Sequence, residues 1–437
     1  MRIDTYIINL EHRSDRRIHV LREFEKRNEF NAILTKAHED KNGSLGLWKT
    51  ITSIVSEAIY NQVEFIIICE DDHVFTTDYS RENLLEQIEF AKSQNADILL
   101  GGISWFQNMI RVSETFYWVE KFSGMQFAII FKNFFETILH TDFGPKDSSD
   151  YKISSLSTNK FFLHPFISIQ KEFGYSDVTE RNAPFGRVSA LFEHSAQAVR
   201  HLNNLNKSYL LCSNERKKHL RHFDQKRASL PLFTIIYGPL YQVSQIQNEL
   251  IGKPEFCVSW IDGTGKIDDE LWLWDQIKNI TENALKNDDD FFILCDQTHV
   301  FTPEYSKLLL MKQIEESLLY GVEILSGGTM NLFNHSIPLS KSILWIDQIV
   351  SGQFLVIFKP LYKQILSTSI DKEMGAIVTL SEIASHKMIS FPFISKRKYV
   401  KNDEHLSKFD FAGVIAKSFD DAMKRLVLIN SKKESYK

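Results

Sequence analysis

The chain contains one segment twice, and the two copies differ in their acidic residues. Residues 69–80 read CEDDHVFTTDYS, residues 295–306 read CDQTHVFTPEYS, and seven of the twelve positions are identical. The acidic triplet of the first copy is replaced in the second: Glu70, Asp71 and Asp72 are matched by Asp296, Gln297 and Thr298. Residues that both copies keep are expected to maintain architecture, and residues that only the first has are expected to carry chemistry.

The repeat extends over most of the chain. Further segments match at offsets of 226 to 228 residues: TYIINL (5–10) with FTIIYG (233–238), LGLWKTITSIVSEAI (45–59) with LWLWDQIKNITENAL (271–285), DILLGG (97–102) with EILSGG (323–328), QFAIIFK (126–132) with QFLVIFK (353–359), and HPFIS (164–168) with FPFIS (391–395). This pattern predicts two domains, 1–206 and 231–437. A basic, helical connector at 207–230 is expected to be a solvated linker, with Arg216, Lys217, Lys218, Arg221, Lys226 and Arg227.

Each copy has the pattern of an α/β domain. Short β-branched apolar runs alternate with segments of helical period, for example Trp48, Ile51, Ile54 and Val55. Such alternation is typical of βαβ units and predicts a mainly parallel sheet in a three-layer, Rossmann-like α/β/α domain. Ligands of such domains bind beyond the carboxyl ends of the strands. The acidic triplet follows the apolar run 65–69 and is therefore predicted to lie at such an end.

Composition limits the binding partners and the cellular location that are expected for the chain. A net charge of -5 gives no overall attraction to nucleic acid or anionic membranes, so a small or polar substrate is expected. We find neither a secretory signal pattern nor an apolar run long enough to span a bilayer, so a cytoplasmic protein is expected, at most peripheral to a membrane. Four cysteines do not form a disulfide framework, and Cys69 and Cys295, which occupy equivalent positions, are interpreted as buried core thiols.

The acidic triplet is a candidate metal site. Adjacent carboxylates repel one another, and a divalent cation relieves that repulsion. Mn²⁺ or Mg²⁺ typically takes one or two protein carboxylates and fills its other positions with water and substrate phosphates. Alternation along an extended strand would point Glu70 and Asp72 to one side and Asp71 to the other. Asp72 is the first candidate for a metal ligand with Glu70 beside it, and Asp71 is expected to contact the donor's ribose or sugar, or a metal-bound water.

Two residue types near the triplet recur in both copies. His73 is matched by His299 in the copy that lacks the carboxylates, which favours a structural, hydrogen-bonded histidine over a metal ligand. Trp48 and Trp274 also recur and are interpreted as core anchors of their helices. An apolar group around Trp345 is likewise expected to be core rather than a docking surface.

The loop after the first strand is the second element that differs between the copies. Residues 8–17 read INLEHRSDRR, whereas the second copy reads YGPLYQ at 237–242. Arg13, Arg16 and Arg17 are suited to bidentate contacts with phosphate, and a helix beginning near Ser14 would add backbone donors. The joint absence of these arginines and of the carboxylates from the second copy predicts one nucleotide site in the first.

A third difference follows the conserved PFIS segment. GYSD at 174–177 becomes KNDE in the second copy. Ser176 and Asp177 are predicted either to line the active cleft, with Asp177 as a metal contact, a sugar contact or a base, or to form a surface turn.

In this order and spacing, INLEHRSDRR, GSLGLW (43–48) and IIICEDDHVF (66–75) resemble glycosyltransferase family 25, which includes bacterial lipopolysaccharide galactosyltransferases and collagen galactosyltransferases. The resemblance covers about the first 180 residues. It implies a GT-A-like fold, a nucleotide-sugar donor such as UDP-galactose, a glycan or glycoconjugate acceptor, and Mn²⁺ held by Glu70, Asp71 and Asp72. The resemblance also implies that Asn9, Leu10 and Arg13 lie near the nucleotide. The predicted donor-binding set consists of these three residues with Asp15, Arg16, Arg17 and Glu70.

The expected chemistry is metal-dependent glycosyl transfer in the first copy, with a non-catalytic second copy. A metal and arginines stabilise the charge that develops on a departing diphosphate. An inverting reaction also needs a carboxylate to deprotonate the acceptor hydroxyl, and Asp150, Glu172 and Asp177 are the candidates. Two alternatives remain open at this point: a nucleotidyl or phosphoryl transferase that uses the same metal, and a non-catalytic sugar-binding protein.

Overall fold

We describe a computed structural model of the chain, which covers residues 2–174, 184–216, 229–237, 240–266, 269–370, 373–398 and 411–436. Contacts between Cα atoms divide it into two compact units. Unit 1 comprises Met1–Asn204 with Tyr436–Lys437, and unit 2 comprises Leu205–Ser435. Among the described helices, none is both long and apolar enough to cross a membrane.

The first copy alternates strands and helices from its first residues. Its strands are β1 (Ile3–Asn9), β2 (Phe30–Lys36), β3 (Phe65–Glu70), β4 (His73–Phe75), β5 (Ile98–Leu100), β6 (Trp105–Arg111), β7 (Phe116–Ser123), β8 (Phe127–Phe131), β9 (Lys160–Leu163) and β10 (Ser168–Gln170). Its helices are α1 (Ser14–Phe24), α2 (Gly43–Tyr60), α3 (Arg81–Ser93), α4 (Lys132–Leu139), α5 (Ser149–Leu156) and α6 (Arg187–Arg216).

Eight of these strands form one mixed sheet in the order β2-β1-β3-β8-β5-β9-β7-β6, while β4 and β10 pair separately. The pairings of β1 with β2, β1 with β3 and β5 with β9 are parallel. The other four pairings are antiparallel. The prediction of a mainly parallel sheet is therefore wrong, because β8 returns between β3 and β5, and β6 and β7 form a hairpin, for which a short turn suffices.

The helices lie on both faces of the sheet. The chain passes from β1 through α1 to β2 on one side, and then from β2 through α2 to β3 on the other side of β1. Crossovers between parallel strands are right-handed in nearly all proteins, so the reversal of direction places α1 and α2 on opposite faces. The buried strands agree with this, since every residue of the run FAIIF in β8 is buried. The predicted three-layer α/β arrangement is confirmed.

The second copy repeats this topology strand for strand. Its sheet order is β12-β11-β13-β18-β15-β19-β17-β16, and β14 pairs with β20. The strands are β11 (Leu230–Ile236), β12 (Phe256–Asp262), β13 (Phe291–Asp296), β14 (His299–Phe301), β15 (Ile324–Ser326), β16 (Ser336–Pro338), β17 (Ile343–Ile346), β18 (Phe354–Phe358), β19 (Lys387–Ser390) and β20 (Ser395–Arg397). The helices are α7 (Leu240–Leu250), α8 (Glu270–Lys286), α9 (Lys307–Tyr320), α10 (Tyr362–Ser367), α11 (Ala376–Ile383) and α12 (Phe411–Ser435). The predicted tandem repeat of α/β domains is confirmed.

The register of β1 corrects the sequence alignment by one residue. Thr5 pairs with Ile67 in the first copy, and Leu232 pairs with Ile293 in the second. Thr5 is therefore equivalent to Leu232, an offset of 227 rather than the 228 inferred from sequence. The correction changes a comparison near the site, since a shift of one residue exchanges the faces of a strand. Asn9, the last residue of β1, is matched by Ile236 rather than by Tyr237.

The residues that both copies share within the twelve-residue motif make equivalent structural contacts. In the first copy, a His73 ring nitrogen lies 2.8 Å from Ser168 Oγ, the Thr76 hydroxyl donates to a carbonyl at 2.6 Å, and Ser80 caps α3 by accepting from Asn83 N at 3.1 Å. The second copy repeats these contacts with His299, Thr302 and Ser306. The shared half of the motif is therefore architecture, as predicted.

Other shared residues are also part of the core. Cys69 and Cys295 are completely buried free thiols. Trp48 is buried and stacks on Phe143 with centroids 4.9 Å apart. Trp274 is also buried, as are the three residues of the apolar group considered for docking: Trp345, Phe354 and Phe358. These side chains pack inside their own units, as expected.

Gly102 and Gly328 provide a test of the repeated architecture. A Cβ at Gly102 would lie 2.1 Å from Ser168 O, and one at Gly328 would lie 2.0 Å from Ser395 O. Because backbone must move to admit a methyl group, we expect Gly102→Ala and Gly328→Ala each to lower the free energy of unfolding by about 1–3 kcal/mol. Urea denaturation followed by circular dichroism measures this. Gly144→Ala, whose Cβ would have its nearest neighbour at 3.6 Å, is the control, and equal stability of all three variants would contradict the packing.

Candidate functional site

The distinguishing residues of the first copy meet where β1 and β3 end. The two strands are parallel neighbours, and Ile8 pairs with Glu70. The chain leaves β1 toward β2 on one side and returns as β3 on the other, so the carboxyl ends of β1 and β3 flank a topological switch point. Crevices at such points are the usual ligand sites of open α/β sheets.

Asp71 is at the centre of this cluster and is 4% exposed. Its Oδ2 accepts a hydrogen bond from Asn9 Nδ2 at 2.8 Å, and its Oδ1 accepts from Arg16 NH1 at 3.0 Å. Arg13 NH1 lies 3.8 Å from the same Oδ1. Asp71 is thus a buried carboxylate compensated by two cations, with an amide donor on its other oxygen.

Arg16 also contacts the next carboxylate. Its NH1 lies 3.2 Å from Asp72 Oδ2, and the residue is only 5% exposed. The expectation that Asp71 and Asp72 would point to opposite sides is wrong, because β3 ends at Glu70 and the two aspartates lie in a turn. Strand alternation does not apply there, and one guanidinium nitrogen reaches both side chains.

The local fold of the loop after β1 places Arg16. Arg13 N donates to Leu10 O at 2.9 Å, and Asn9 Nδ2 donates to Arg13 O at 3.2 Å, which closes the turn that leads into α1. The helix begins at Ser14, as predicted. Arg16 therefore lies in its first turn, where the partial positive charge of the helix end also favours the nearby carboxylates.

Burial and mutual repulsion shape the ionisation of the acidic residues. Burial raises the pKa of Asp72 to about 6, and the charge of Asp71 adds to that rise while the Arg16 and Arg13 guanidiniums oppose it. Burial, followed by the charges of Asp72 and Asp150, holds the pKa of Glu70 well above its usual range. Asp72 Oδ1 is a buried carboxylate oxygen to which no described residue donates a hydrogen bond. The cluster therefore contains a buried carboxylate oxygen that has no hydrogen-bond donor among the described residues.

Asp150 faces Glu70 from the first turn of α5. Its Oδ2 accepts from Ser123 Oγ at 2.6 Å and from Gly124 N at 3.2 Å, and its Oδ1 accepts from Tyr151 N at 2.8 Å. These donors hold the carboxylate in place, and its charge contributes to the raised pKa of Glu70. The structure thus brings Asp150 to the same end of the sheet as the triplet.

The equivalent region of the second copy is neutral or internally satisfied. Asp296 accepts from the backbone N–H of Thr298 at 2.7 Å, and Gln297 Oε1 accepts from Tyr237 N at 2.7 Å. With the offset of 227, α5 is equivalent to α11 and Asp150 is matched by Ile377. Ile377 lies close to Gly352: a Cβ added at Gly352 would be 2.6 Å from Ile377 Cδ1. A carboxylate of the first copy is replaced by a packed apolar side chain.

Phe173 is part of the site but was not singled out from sequence. The Arg16 guanidinium lies 4.8 Å from the centre of its ring, and Lys171 Nζ lies 5.1 Å from it. Lys171 N also donates to Asp72 O at 2.8 Å, which ties this segment to the acidic turn. Phe173 lines a cleft beside α1, together with Asp15 and His19. Its position within the differing segment after PFIS was the available signal.

The other predicted site residues are placed less centrally. Leu10 is half-buried in the turn after β1, Asp15 is exposed in the first turn of α1, and Arg17 is half-buried on that helix. Glu172, a candidate base, accepts from Gly186 N at 2.6 Å and Ser189 N at 3.0 Å at the start of α6. These bonds lower its pKa.

Ser176 and Asp177, the remaining candidates, lie outside the described residues. Within the described ranges, no group of three or more His, Cys, Asp or Glu side chains is arranged to hold a metal ion. Glu70 and Asp72 offer at most two protein carboxylates. That number fits Mg²⁺ or Mn²⁺, which complete their coordination with water and phosphate oxygens.

No model of a known protein family matches the chain, and no curated protein sequence does. Among solved structures, the chain is similar to A197 from STIV, with 12% identity and a TM-score of 0.29 over 40% of this chain and 87% of that one. It is also similar to apo UDP-glucose pyrophosphorylase, with 10% identity and a TM-score of 0.26 over 44% and 82% of the two chains. Scores this low carry no functional argument, so function is argued from the site.

Removing Asp71 tests the charge compensation at the site. Asp71→Ala leaves Arg16 and Arg13 with less negative charge in a buried setting, and we expect the free energy of unfolding to fall by about 3 kcal/mol. The matched change in the second copy, Gln297→Ala, removes only a neutral hydrogen bond and should cost about 1 kcal/mol. Urea denaturation compares the two, and a smaller loss for Asp71→Ala than for Gln297→Ala would contradict the described pairing.

The raised pKa of Asp72 predicts a specific pH dependence. Because the folded state holds this proton more tightly than the unfolded state, the contribution of Asp72 to stability is greatest below pH 4 and is lost as pH rises through about 6. Asp72→Asn removes this loss. In metal-free buffer, the variant should gain roughly 2 kcal/mol relative to wild type between pH 4 and pH 7. Parallel stability profiles over that range would show that the carboxyl titrates normally.

Proposed function

We propose that the first copy is a metal-dependent glycosyltransferase that moves a sugar from a nucleotide-sugar donor, such as UDP-galactose, to a hydroxyl of a glycan or other acceptor. One observation carries the proposal: an amide, two arginines and four carboxylates converge at the switch point of the sheet, where the second copy has neutral or internally satisfied residues. The resemblance of the motifs to glycosyltransferase family 25 supports the choice of donor.

The residues fit a divalent cation. Asp72 has a buried oxygen with no hydrogen-bond donor among the described residues, and Glu70 lies beside it at the end of β3. Asp72 would be the principal ligand, with Glu70 as a second ligand or a ligand of metal-bound water. A bound cation would stabilise the negative charge that develops on the diphosphate as it leaves the sugar.

The other residues of the cluster supply binding and orientation. Arg13 and Arg16 carry the fork geometry that suits diphosphate oxygens, and the start of α1 adds a favourable dipole. Asn9 holds Asp71 in position. Asp150 is fixed by four donors near Glu70, where a carboxylate can orient a sugar or acceptor hydroxyl.

One observation favours a second candidate function. Arg16 and Arg13 already compensate Asp71, which is compatible with a pocket that binds a sugar without a metal and performs no reaction. The second copy, with Gln297 and Thr298 in place of two carboxylates, is proposed to be non-catalytic under either function.

Calorimetry with UDP and Mn²⁺ tests the proposed function. Wild type should bind UDP more tightly with Mn²⁺ than without it, and Asp72→Asn should weaken binding in the presence of Mn²⁺ by tenfold or more, because the principal ligand is lost. Thr298→Asn, at the equivalent position of the second copy, is the matched control and should bind as wild type does. Metal-independent binding that survives Asp72→Asn would support the non-catalytic alternative.

Product analysis separates the enzymatic possibilities. Incubated with UDP-galactose and Mn²⁺, a glycosyltransferase should slowly release UDP by transferring the sugar to water, since water competes for the reactive sugar centre. In a parallel incubation with UTP and a sugar 1-phosphate, a nucleotidyl transferase would instead join the uridylyl group to the sugar phosphate and release pyrophosphate. Chromatography of the nucleotide products distinguishes them, and pyrophosphate release would overturn the proposal.

A further inference from the structure

Arg16 occupies the position of a bridging cation between two carboxylates. A single nitrogen, NH1, lies 3.0 Å from Asp71 Oδ1 and 3.2 Å from Asp72 Oδ2. We propose that Arg16 is an internal counter-ion that competes with the divalent cation for Asp72, and that cation binding releases its guanidinium to the diphosphate of the donor. The second half of this inference rests on the proposed function.

Competition follows from charge and space. Asp72 Oδ1 is buried with no hydrogen-bond donor among the described residues, and the other oxygen, Oδ2, contacts Arg16. A divalent cation on Asp72 would therefore lie within a few ångströms of the guanidinium. At that separation, in a site with little water, repulsion between a double and a single positive charge is several kcal/mol. Each cation therefore weakens the hold of the other on Asp72.

Asp71 keeps a hydrogen-bond donor and a nearby cation when the Arg16 guanidinium moves away. Asn9 Nδ2 donates to Asp71 Oδ2 at 2.8 Å independently of Arg16, and Arg13 NH1 already lies 3.8 Å from Oδ1. A small movement of Arg13 would restore the charge pair. Asp71 therefore retains an amide donor and a neighbouring cation when Arg16 is displaced.

The ring of Phe173 provides a surface against which the released guanidinium of Arg16 can pack. The ring of Phe173 lies 4.8 Å from the Arg16 guanidinium carbon and borders the cleft beside α1. A guanidinium held by an aromatic face keeps its edge donors available, and such an edge matches two phosphate oxygens at once. Arg16 is thereby a positioning residue for the diphosphate as well as a competitor of the metal.

The competition predicts coupling between the two ligands. A cation that displaces Arg16 makes the guanidinium available to UDP, so each ligand should tighten the binding of the other beyond their direct contact. By thermodynamic linkage the factor is the same in both directions. Without the Arg16 side chain, the part of the coupling that passes through it should disappear.

Titration of the protein with Mn²⁺ alone tests the competition directly. Arg16→Met removes the competing charge and should bind Mn²⁺ roughly tenfold more tightly than wild type, within the usual range of coupling strengths. Its UDP affinity should also respond less to Mn²⁺ than that of wild type. Arg81→Met, at an exposed position in the first turn of α3, removes the same charge and should leave both affinities unchanged.

The outcomes separate this inference from the proposed function. Unchanged or weaker Mn²⁺ binding by folded Arg16→Met, in a protein whose wild type binds Mn²⁺ and UDP together, overturns the competition and leaves the proposed function standing. Tighter Mn²⁺ binding by the variant, with no UDP binding by either protein, supports the competition and counts against the proposed function. Should Arg16→Met fail to fold, Arg16→Lys replaces it: a lysine bridges two carboxylates less well, so Mn²⁺ affinity should rise about threefold. No change with lysine would also overturn the competition.

Discussion

The buried ion pair between Arg16 and the aspartates at the end of β3 is the interaction on which the site depends. Charges removed from water need a partner, and here the loop after β1 supplies the partner for the loop after β3. The pairing joins two segments more than fifty residues apart and fixes the start of α1 over the acidic turn. It also sets a limit, because the nitrogen that contacts both carboxylates is not available to a ligand while the pair holds.

Comparing the two copies distinguishes residues that maintain the fold from residues that carry chemistry more clearly than a single domain would. Both keep the histidine and serine beneath the acidic turn, the serine that caps the following helix, and the glutamate and tyrosine pair: Glu29 with Tyr79, and Glu255 with Tyr305. Only the first adds Asp71, Asp72 and the arginines of the loop after β1. The fold therefore does not require the carboxylates, which is the physical reason to assign them a task other than stability.

Structural features that depend on local sequence patterns were predicted correctly, whereas features that depend on contacts between distant residues were not. The periodicity of apolar residues and the turn residues were sufficient to predict the repeat, the start of α1 and the burial of Cys69. They were not enough for the register of β1, because either offset keeps an apolar strand. They also assigned the arginines to phosphate and the aspartates to metal, since nothing in the chain order shows that Arg16 NH1 reaches Asp71. Asp150 was named from sequence, but its replacement by Ile377 emerged only from the equivalence of α5 and α11.

Ile377 makes the loss of charge in the second copy hard to reverse. Its half-buried side chain lies against Gly352, where an added Cβ would be 2.6 Å from Ile377 Cδ1. Restoring the acidic triplet alone would thus leave an aliphatic side chain where the first copy has its fourth carboxylate. Such a replacement is difficult to undo by single substitutions. Once an apolar side chain occupies an unused site, the substitutions that would restore an ionic site pass through less stable intermediates.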